Sequence, residues 1–238
     1  MKRLLSSIGI GAATVDTVLS QAAVRPGEQV ELAVDLAGGD VAQRIDGLYF
    51  TLKAESGGDE WVVDRYSFDG SFVIEPGEER TEPVSIFVPS WTPITRGGPR
   101  VWLETGLEID WAVDPTDTDD VVVDPGPYVA ALFEAAADLG FEFASSTMEE
   151  TPWLDDRPFA QRLVFTPGER FERQVEALVL TTIPRDDDLR LYIQVDTRDQ
   201  VADAVGQDFN EQELSVTVTY ANPEMIARRI TSTIDEFT

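Results

Sequence analysis

The chain contains no cysteine and no histidine among its 238 residues. Without cysteine it can form no disulfide, no thiolate nucleophile and no cysteine-ligated zinc or iron–sulfur site. Without histidine it lacks the commonest general base, the usual catalytic triads and the usual ligand of transition metals. Only carboxylate, hydroxyl or lysine chemistry remains, so we expect a protein that is not an enzyme and that uses no cofactor.

Positive charge is scarce as well. The chain has 18 basic residues against 45 acidic ones, a net charge of −27, and only Lys2 and Lys53 are lysines. Such an acidic surface is typical of proteins kept soluble in high salt, where ions screen self-repulsion, and we interpret it as halophilic adaptation. The same charge repels a phosphate backbone or an anionic membrane, so we expect no nucleic-acid partner. A hydrophobic content of 42%, with 5 Trp and 12 Phe, favours a packed core over acidic disorder.

No hydrophobic run approaches the roughly 20 residues of a membrane span, so we expect no integral membrane segment and a cytoplasmic protein. The basic start at residues 2–3, followed by leucines and isoleucines, could instead be a signal peptide cleaved near residues 22–23. Gly9, Gly11 and Asp16 interrupt that apolar stretch. We therefore favour retention of this segment.

The first half of the chain is punctuated like an antiparallel β-sandwich. Apolar residues alternate with polar ones in short segments separated by glycine and proline turns, which is typical of half-buried strands. The predicted strands are residues 13–20, 30–36, 45–54, 61–74, 84–88 and 100–109. Short strands at regular spacing indicate a sandwich or barrel.

A domain boundary is predicted near residues 114–127, which gives domains 1–125 and 126–238. A short strand at residues 121–123 precedes the linking helix, which begins at Pro127, runs to Leu139 and is ended by Gly140. Further strands are predicted at residues 141–147, 159–166, 171–183, 189–197 and 214–220, with a short helix at 198–205.

The last helix has clear start signals. Asn222 is its predicted cap and Pro223 its first residue. Ile226, Ile230 and Ile234 form an apolar stripe, and we interpret this stripe as core or as contact with a second copy of the chain.

The tripeptide Pro-Gly-Glu occurs three times, at residues 26–28, 76–78 and 167–169. Proline presets the first turn angle and glycine supplies a positive φ. We expect a hairpin turn at all three.

The acidic cluster of Asp114, Asp117, Asp119 and Asp120 is the candidate metal site, because Ca²⁺ and Mg²⁺ prefer oxygen ligands. The spacing lacks the glycine and distal glutamate of an EF-hand, so a solvated loop is the favoured interpretation.

Exposed tryptophans are the candidates for a protein interface. Trp91 lies between two prolines and Trp111 precedes the acidic cluster, and both are expected at the surface. Ile230 and Ile234 complete the interface candidates, whereas Trp102 lies in an apolar strand and is expected in the core.

Several segments combine turn and strand residues in a fixed order. They are IGIGAATVDTVL (residues 8–19), PGEQV (26–30), GGDVAQRID (38–46), VWLETGLEI (101–109), VDPTD (113–117), LGF (139–141), FAQRLVFTP (159–167) and YIQVDTR (192–198). Together they resemble the bacterial and archaeal sporulation-control family, named for a Bacillus regulator, the stage-zero protein M. The resemblance spans nearly the whole chain.

The resemblance implies an arrestin-like fold, a tandem of two antiparallel β-sandwiches, here with the linking helix and the C-terminal helix. It also implies a regulator or scaffold that acts through protein–protein contacts, with no catalytic residues to carry over. The acidic composition indicates a halophilic archaeal version, and an archaeon forms no endospores, so the process in the family name does not transfer.

Three functions remain open. The leading one is an intracellular scaffold that offers sheet edges and sandwich faces to partner proteins. The second is a secreted or surface-associated β-sandwich adhesion module. The third is a carboxylate-based hydrolase, which would need a cleft with two facing acids.

We predict that the chain folds only at high salt, because its 27 excess negative charges repel one another at low ionic strength. Thermal unfolding followed by circular dichroism should show a cooperative transition in molar KCl that is lost near physiological salt. Equal stability under the two conditions would contradict the halophilic interpretation.

Overall fold

The computed structural model describes residues 12–109, 115–154, 157–197 and 215–237. The chain divides into two compact units, the first formed by residues 1–92 and 100–123 and the second by residues 93–99 and 124–238. The sequence predicted two continuous domains, 1–125 and 126–238. In the structure residues 93–99 belong to the second unit, although the residues on both sides of them belong to the first.

The first unit contains two antiparallel sheets with strand orders β1-β2-β5 and β4-β3-β6-β7. Their strands are β1 (Thr14–Leu19), β2 (Gln29–Ala37), β3 (Gln43–Ser56), β4 (Asp59–Ile74), β5 (Glu79–Phe87), β6 (Arg100–Ile109) and β7 (Thr116–Asp120). Alternate residues are buried, as Val30, Leu32 and Val34 show in β2. Side chains from both sheets line one cavity between them, so the sheets face each other as a sandwich.

The second unit contains one five-stranded antiparallel sheet with the order β12-β11-β10-β9-β8. Its elements are α1 (Pro127–Asp138), β8 (Glu142–Glu150), β9 (Phe159–Thr166), β10 (Val175–Pro184), β11 (Leu189–Thr197), β12 (Ser215–Val218) and α2 (Pro223–Phe237). The apolar stripes of both helices are buried in one core with alternate strand residues, such as Leu132, Ile230, Leu163 and Ile193. Within the described residues, the two helices thus supply the layer that covers this sheet.

The prediction of a mainly β chain with antiparallel sheets, a linking helix and a C-terminal helix is confirmed. The second predicted sandwich differs: in the described residues of that unit one sheet packs against two helices and not against a second sheet. The short helix expected at residues 198–205 lies outside the described residues.

The helix ends follow the predicted signals. Gly140 takes a φ of 86°, its N–H donates to Ala137 O (2.9 Å), and the N–H of Phe141 donates to Ala136 O (2.9 Å). This pair of hydrogen bonds satisfies the last carbonyls of α1. At the start of α2, Asn222 Oδ1 accepts a hydrogen bond from the N–H of Met225 (3.0 Å), as a capping residue does.

Two of the three Pro-Gly-Glu tripeptides form tight turns, since Gly27 and Gly77 have φ of 86° and 70°. The first joins the paired strands β1 and β2 as expected, but the second joins β4 and β5 of different sheets, so the hairpin prediction there was wrong. The third lies between the paired strands β9 and β10, but its glycine does not make the expected turn. Gly168 has no positive φ, and a Cβ at this residue would collide with the carbonyl oxygen of Gly140. Close approach of two backbones, and not turn geometry, is the reason for glycine at this position.

The strand after this third tripeptide also begins later than predicted. The N–H of Val175 donates to Phe171 O (2.9 Å), so residues 171–174 turn and β10 starts at Val175 and not at 171. The ring of Phe171 stacks on Phe141, with 5.2 Å between ring centroids. This packing below the end of α1 overrides the apolar pattern that indicated a strand.

Residues 93–99 are held in the second unit by a buried glutamine of β9. Gln161 Oε1 accepts a hydrogen bond from the N–H of Ile94 (2.9 Å), and its Nε2 donates to Ile94 O (2.9 Å). The amide therefore satisfies both backbone groups of one residue, as a neighbouring strand would. Ser146 Oγ adds a bond to Arg96 O (2.8 Å), and the guanidinium of Arg96 lies over the ring of Phe143.

Replacing Gln161 by leucine should therefore destabilise the second unit by about 2–4 kcal/mol, because the buried N–H and C=O of Ile94 lose their partners. Gln29→Leu is the matched control, since Gln29 is exposed, and it should change stability by less than about 0.5 kcal/mol. Denaturant unfolding at high salt measures both variants. Equal stability of Gln161→Leu and wild type would contradict the role assigned to this amide.

Candidate interaction surface

The edges of the sheets are the surfaces most able to bind another protein. An edge strand presents unpaired N–H and C=O groups that can pair with a further strand. In the described residues the edge strands are β1, β5, β4 and β7 in the first unit, and β8 and β12 in the second. Which of these edges is open determines where a partner strand could add.

The side of the first unit formed by β1 and β7 is closed. Asp117 Oδ2 on β7 accepts a hydrogen bond from the N–H of Thr17 on β1 (2.7 Å). Thr17 Oγ1 donates to Thr105 Oγ1 (2.8 Å), and both threonines are almost fully buried. Beyond the strands, the N–H of Val24 donates to Val122 O (2.9 Å). A carboxylate therefore satisfies a backbone group at the edge of the opposite sheet.

The edge of β5 is blocked by a proline. The N–H of Val88 donates to Glu28 O (2.9 Å), and hydrogen-bonded pairs alternate along an antiparallel ladder. By this alternation the backbone nitrogen of Pro83 points away from β2. Proline cannot donate a hydrogen bond there, and this is the edge position where proteins tolerate it.

A tyrosine occupies the next part of the same edge. Tyr66 Oη on β4 donates a hydrogen bond to Phe87 O on β5 (2.6 Å), so this outward carbonyl already has a partner. Burial of the hydroxyl, together with the nearby carboxylate of Asp64, raises the pKa of Tyr66 above its usual value. The tyrosine therefore stays protonated and remains a donor across the physiological pH range.

In the second unit, β8 is covered by residues 93–99. The N–H of Ser146 donates to Gly97 O (2.9 Å), and a Cβ at Gly98 would collide with the carbonyl oxygen of Ser146. The other edge strand, β12, comprises Ser215–Val218 in the described part of the chain.

The edge of β4 differs from all of these. It has 16 residues, and its central part is exposed or half-buried on both faces. Register shifts mark both ends of this part, opposite Leu52 and opposite Gly47 of β3. Between them, residues 64–69 pair regularly with β3, and no described strand pairs with the other side of β4.

The sheet surface beside β4 is dominated by carboxylates. Lys53 on β3 lies between Glu60 and Glu104, with Nζ–Oε1 distances of 3.0 Å to each. The hydrogen bonds that Lys53 Nζ donates to Glu104 and to Glu60 raise the pKa of Lys53, against the lowering effect of burial. β4 itself carries four carboxylates and one arginine. Carboxylates therefore outnumber basic groups along this strand.

The acidic cluster does not form the predicted loop. Residues 116–120 form the edge strand β7. Of the strand predicted at residues 121–123, only Val123 takes part in a β-bridge, and that bridge is isolated. Asp117 bonds to Thr17, and Asp120 pairs with Arg100 at 2.7 Å. Asp119 is half-buried on the same side of the strand as Asp117, whereas Asp114 lies outside the described residues. Among the residues the structure describes, no group of three acidic side chains could hold a metal ion.

The interface candidates have different positions. Ile230 and Ile234 are 0% exposed within the core of their own unit, which agrees with the core interpretation of the α2 stripe and not with a surface for a partner. Their helical spacing indicated an apolar face but could not show what covers it. Trp91 is half-buried, Trp102 is in the core as predicted, and Trp111 lies outside the described residues.

The cavity between the two sheets of the first unit is too small for a substrate. It encloses about 10 Å³ and is lined by apolar side chains such as Leu32 and Leu103, together with Thr92. This volume is about that needed by one water molecule. Neither α1 nor α2, the two helices of the described residues, is long and apolar enough to cross a membrane.

Sequence reasoning did not single out the edge of β4. It predicted the strand, but no residue pattern shows which strand ends a sheet, because strand order depends on pairing across the chain. One signal was available: the apolar residues change from odd to even positions between Val63 and Tyr66, which indicates a β-bulge, and bulges are common in edge strands.

Comparisons with known proteins agree on one family. The family described as SpoOM protein (Spo0M) matches residues 1–199 of the chain. The sporulation-control protein spo0M of Bacillus subtilis (strain 168) is 32% identical over 235 residues, which cover 94% of this chain and 91% of that protein. The crystal structure of Spo0M, sporulation control protein, from Bacillus subtilis matches with a TM-score of 0.83 at 29% identity. That match covers 96% of this chain and all of the other, and it confirms the predicted arrestin-like fold.

The acidic residues of β7 should differ in their effect on stability. Asp117→Ala removes the acceptor of the buried Thr17 N–H and should cost about 1–3 kcal/mol. Asp120→Ala removes an exposed ion pair with Arg100 and should cost less than about 1 kcal/mol. Denaturant unfolding at fixed high salt, with and without added Ca²⁺ or Mg²⁺, measures both. Equal losses that depend on the added cation would favour a metal site instead.

Proposed function

Since the chain belongs to the SpoOM protein family, we propose that it is a regulatory protein that acts by contacts with other proteins and not by catalysis. The name of its Bacillus relative, sporulation-control protein, supports a regulatory role. The word sporulation in that name describes the process in the Bacillus relative. The proposal therefore does not name the process that this chain regulates.

The open edge of β4 is the observation that carries the proposal of protein contacts. Its residues 64–69 form a regular strand with one unpaired side among the described strands, next to edges that are closed or covered. Natural proteins protect such edges, so one that stays open is a candidate binding surface. A scaffold with this surface can bind a partner without any catalytic group.

We also propose that the protein works in the cytoplasm of a salt-loving cell. The net charge of −27 and the near absence of lysine support this part of the proposal. At molar salt the long-range repulsion between carboxylates is screened, and short-range hydrogen bonds and apolar contacts then determine which partners bind.

Affinity capture of the full-length tagged protein from its own cells, at native salt, tests the proposal. We expect defined proteins to be enriched over a tag-only control, and a second capture through a tag on one of them should recover this chain. A capture that enriches no protein in either direction, repeated after cross-linking in cells, would overturn the proposal.

A further inference from the structure

We propose that the outer edge of β4, at residues 64–69, pairs antiparallel with the same edge of a second copy of this chain, around a twofold axis at Ser67. The two four-stranded sheets then form one sheet that continues across the dimer. The inference deepens the proposed function and rests on it, because it names the first partner of the open edge.

The alternation of hydrogen bonds shows which backbone groups of β4 point outward. The N–H of Val121 donates to Val101 O (2.8 Å), so the odd-numbered residues of β6 turn their backbone groups toward β7. The even-numbered residues of β6 therefore bond to the odd-numbered residues of β3. The remaining residues of β3, such as Phe50, bond to β4.

The same alternation reaches the edge of β4. Tyr66 lies opposite Phe50 and turns its backbone groups inward to β3. The N–H and C=O groups of Arg65, Ser67 and Asp69 therefore point outward. These three residues have the spacing of hydrogen-bonded positions in an antiparallel ladder, so a second strand can pair with all of them.

The side chains of these three residues complement themselves in one register. When Ser67 lies opposite Ser67 of the second copy, Arg65 of each copy lies opposite Asp69 of the other. All three side chains are exposed, and opposite charges at directly opposed positions stabilise a sheet. A shift of the register by two residues in either direction removes both ion pairs, so the charges select this register.

The other face of the edge is complementary in the same register. Tyr66 of each copy lies opposite Phe68 of the other, at non-hydrogen-bonded positions where opposed side chains are closest. Both rings are half-buried, and Phe68 packs edge-to-face on Phe50 at 5.6 Å between ring centroids. Aromatic pairs across strands stabilise antiparallel sheets, so the two edges also match in their apolar side chains.

Asp64 caps this edge in the unpaired chain. Its Oδ1 accepts a hydrogen bond from the outward N–H of Arg65 (2.8 Å), at an exposed position. In the dimer the carbonyl oxygen of Asp69 from the second copy replaces this acceptor, so the N–H keeps a partner. The exchange, and an interface confined to residues 64–69 of each copy, make the dimer weak and reversible, as interfaces below about 1,200 Å² are.

Net charge determines the salt at which the dimer forms. Two copies that each carry a charge of −27 repel each other over long distances, and molar salt screens this repulsion. The ion pairs between Arg65 and Asp69 are exposed and contribute less than this repulsion. We therefore expect association to strengthen as salt rises.

Sedimentation velocity of the full-length protein over a series of concentrations in molar KCl tests the inference. Arg65→Asp and Asp69→Arg each place like charges opposite each other and should each weaken the dimer about tenfold or more. An equimolar mixture of the two variants restores both opposite-charge pairs in a heterodimer. The double variant Arg65→Asp/Asp69→Arg restores them in a homodimer, and both samples should associate as wild type does.

Matched controls separate the edge from general charge. Glu31→Arg changes the net charge as Asp69→Arg does, but at an exposed position of the central strand β2, and should dimerise as wild type. Ser67→Pro removes the outward N–H at the axis and should weaken the dimer, whereas Ser67→Thr keeps it. Circular dichroism confirms that each variant is folded, and the charge variants serve if Ser67→Pro does not fold.

Loss of the dimer in both single charge variants, with recovery in the mixture and in the double variant, would establish the inference. A wild type that stays monomeric at every concentration, or single variants that dimerise as Glu31→Arg does, would overturn it. Capture from cells distinguishes this failure from that of the proposed function. If wild type is monomeric and still captures defined proteins, the self-pairing is wrong and the proposed function stands. If it captures no other protein, the proposed function fails.

Discussion

The need to satisfy or protect backbone groups at the edge of each sheet is the constraint on which this structure depends. Strands are stable only with neighbours, and each sheet ends in strands that have a neighbour on one side alone. The chain protects these edges by different means: the carboxylate of Asp117, the ring of Pro83, the hydroxyl of Tyr66 and the segment of residues 93–99. On the outer side of β4 no described strand pairs with residues 64–69, and there Asp64 Oδ1 accepts a hydrogen bond from the N–H of Arg65 (2.8 Å).

The acidic residues of this protein serve two physical purposes. Those that the structure describes are exposed or half-buried, and the excess of acidic residues sets the net charge of −27. A few make specific contacts within the fold. Asp117 accepts a hydrogen bond from a buried backbone N–H, and Glu60 and Glu104 hold Lys53 between them. Composition alone cannot separate these purposes, because an aspartate in an acidic loop and an aspartate that closes a sandwich look the same in the sequence.

Local signals predicted the elements well where the local interactions decide them. Pro127 and Gly140 bound α1, Asn222 caps α2, and the limits of β9 and β11 match the alternating patterns in the sequence. The errors occurred where a distant group decides. Gly168 is required by the backbone of Gly140, and the early residues of the strand predicted at 171–183 are held in a turn by packing on Phe141. The acidic strand β7 was missed because Asp117 is stabilised by a threonine 100 residues away.

By itself the sequence determined the class of the fold, the periodicity of its strands, the ends of its helices and the sign of its charge. These features depend on steric preferences, on alternation and on composition, which act over a few residues or over the whole chain at once. Only the tertiary structure decided which strands are edges, which of these edges are covered, and that Ile230 and Ile234 face the core of their own unit. Those outcomes depend on pairing between residues far apart in the chain, because a hydrogen bond or a packed side chain requires a partner whose position no local pattern records.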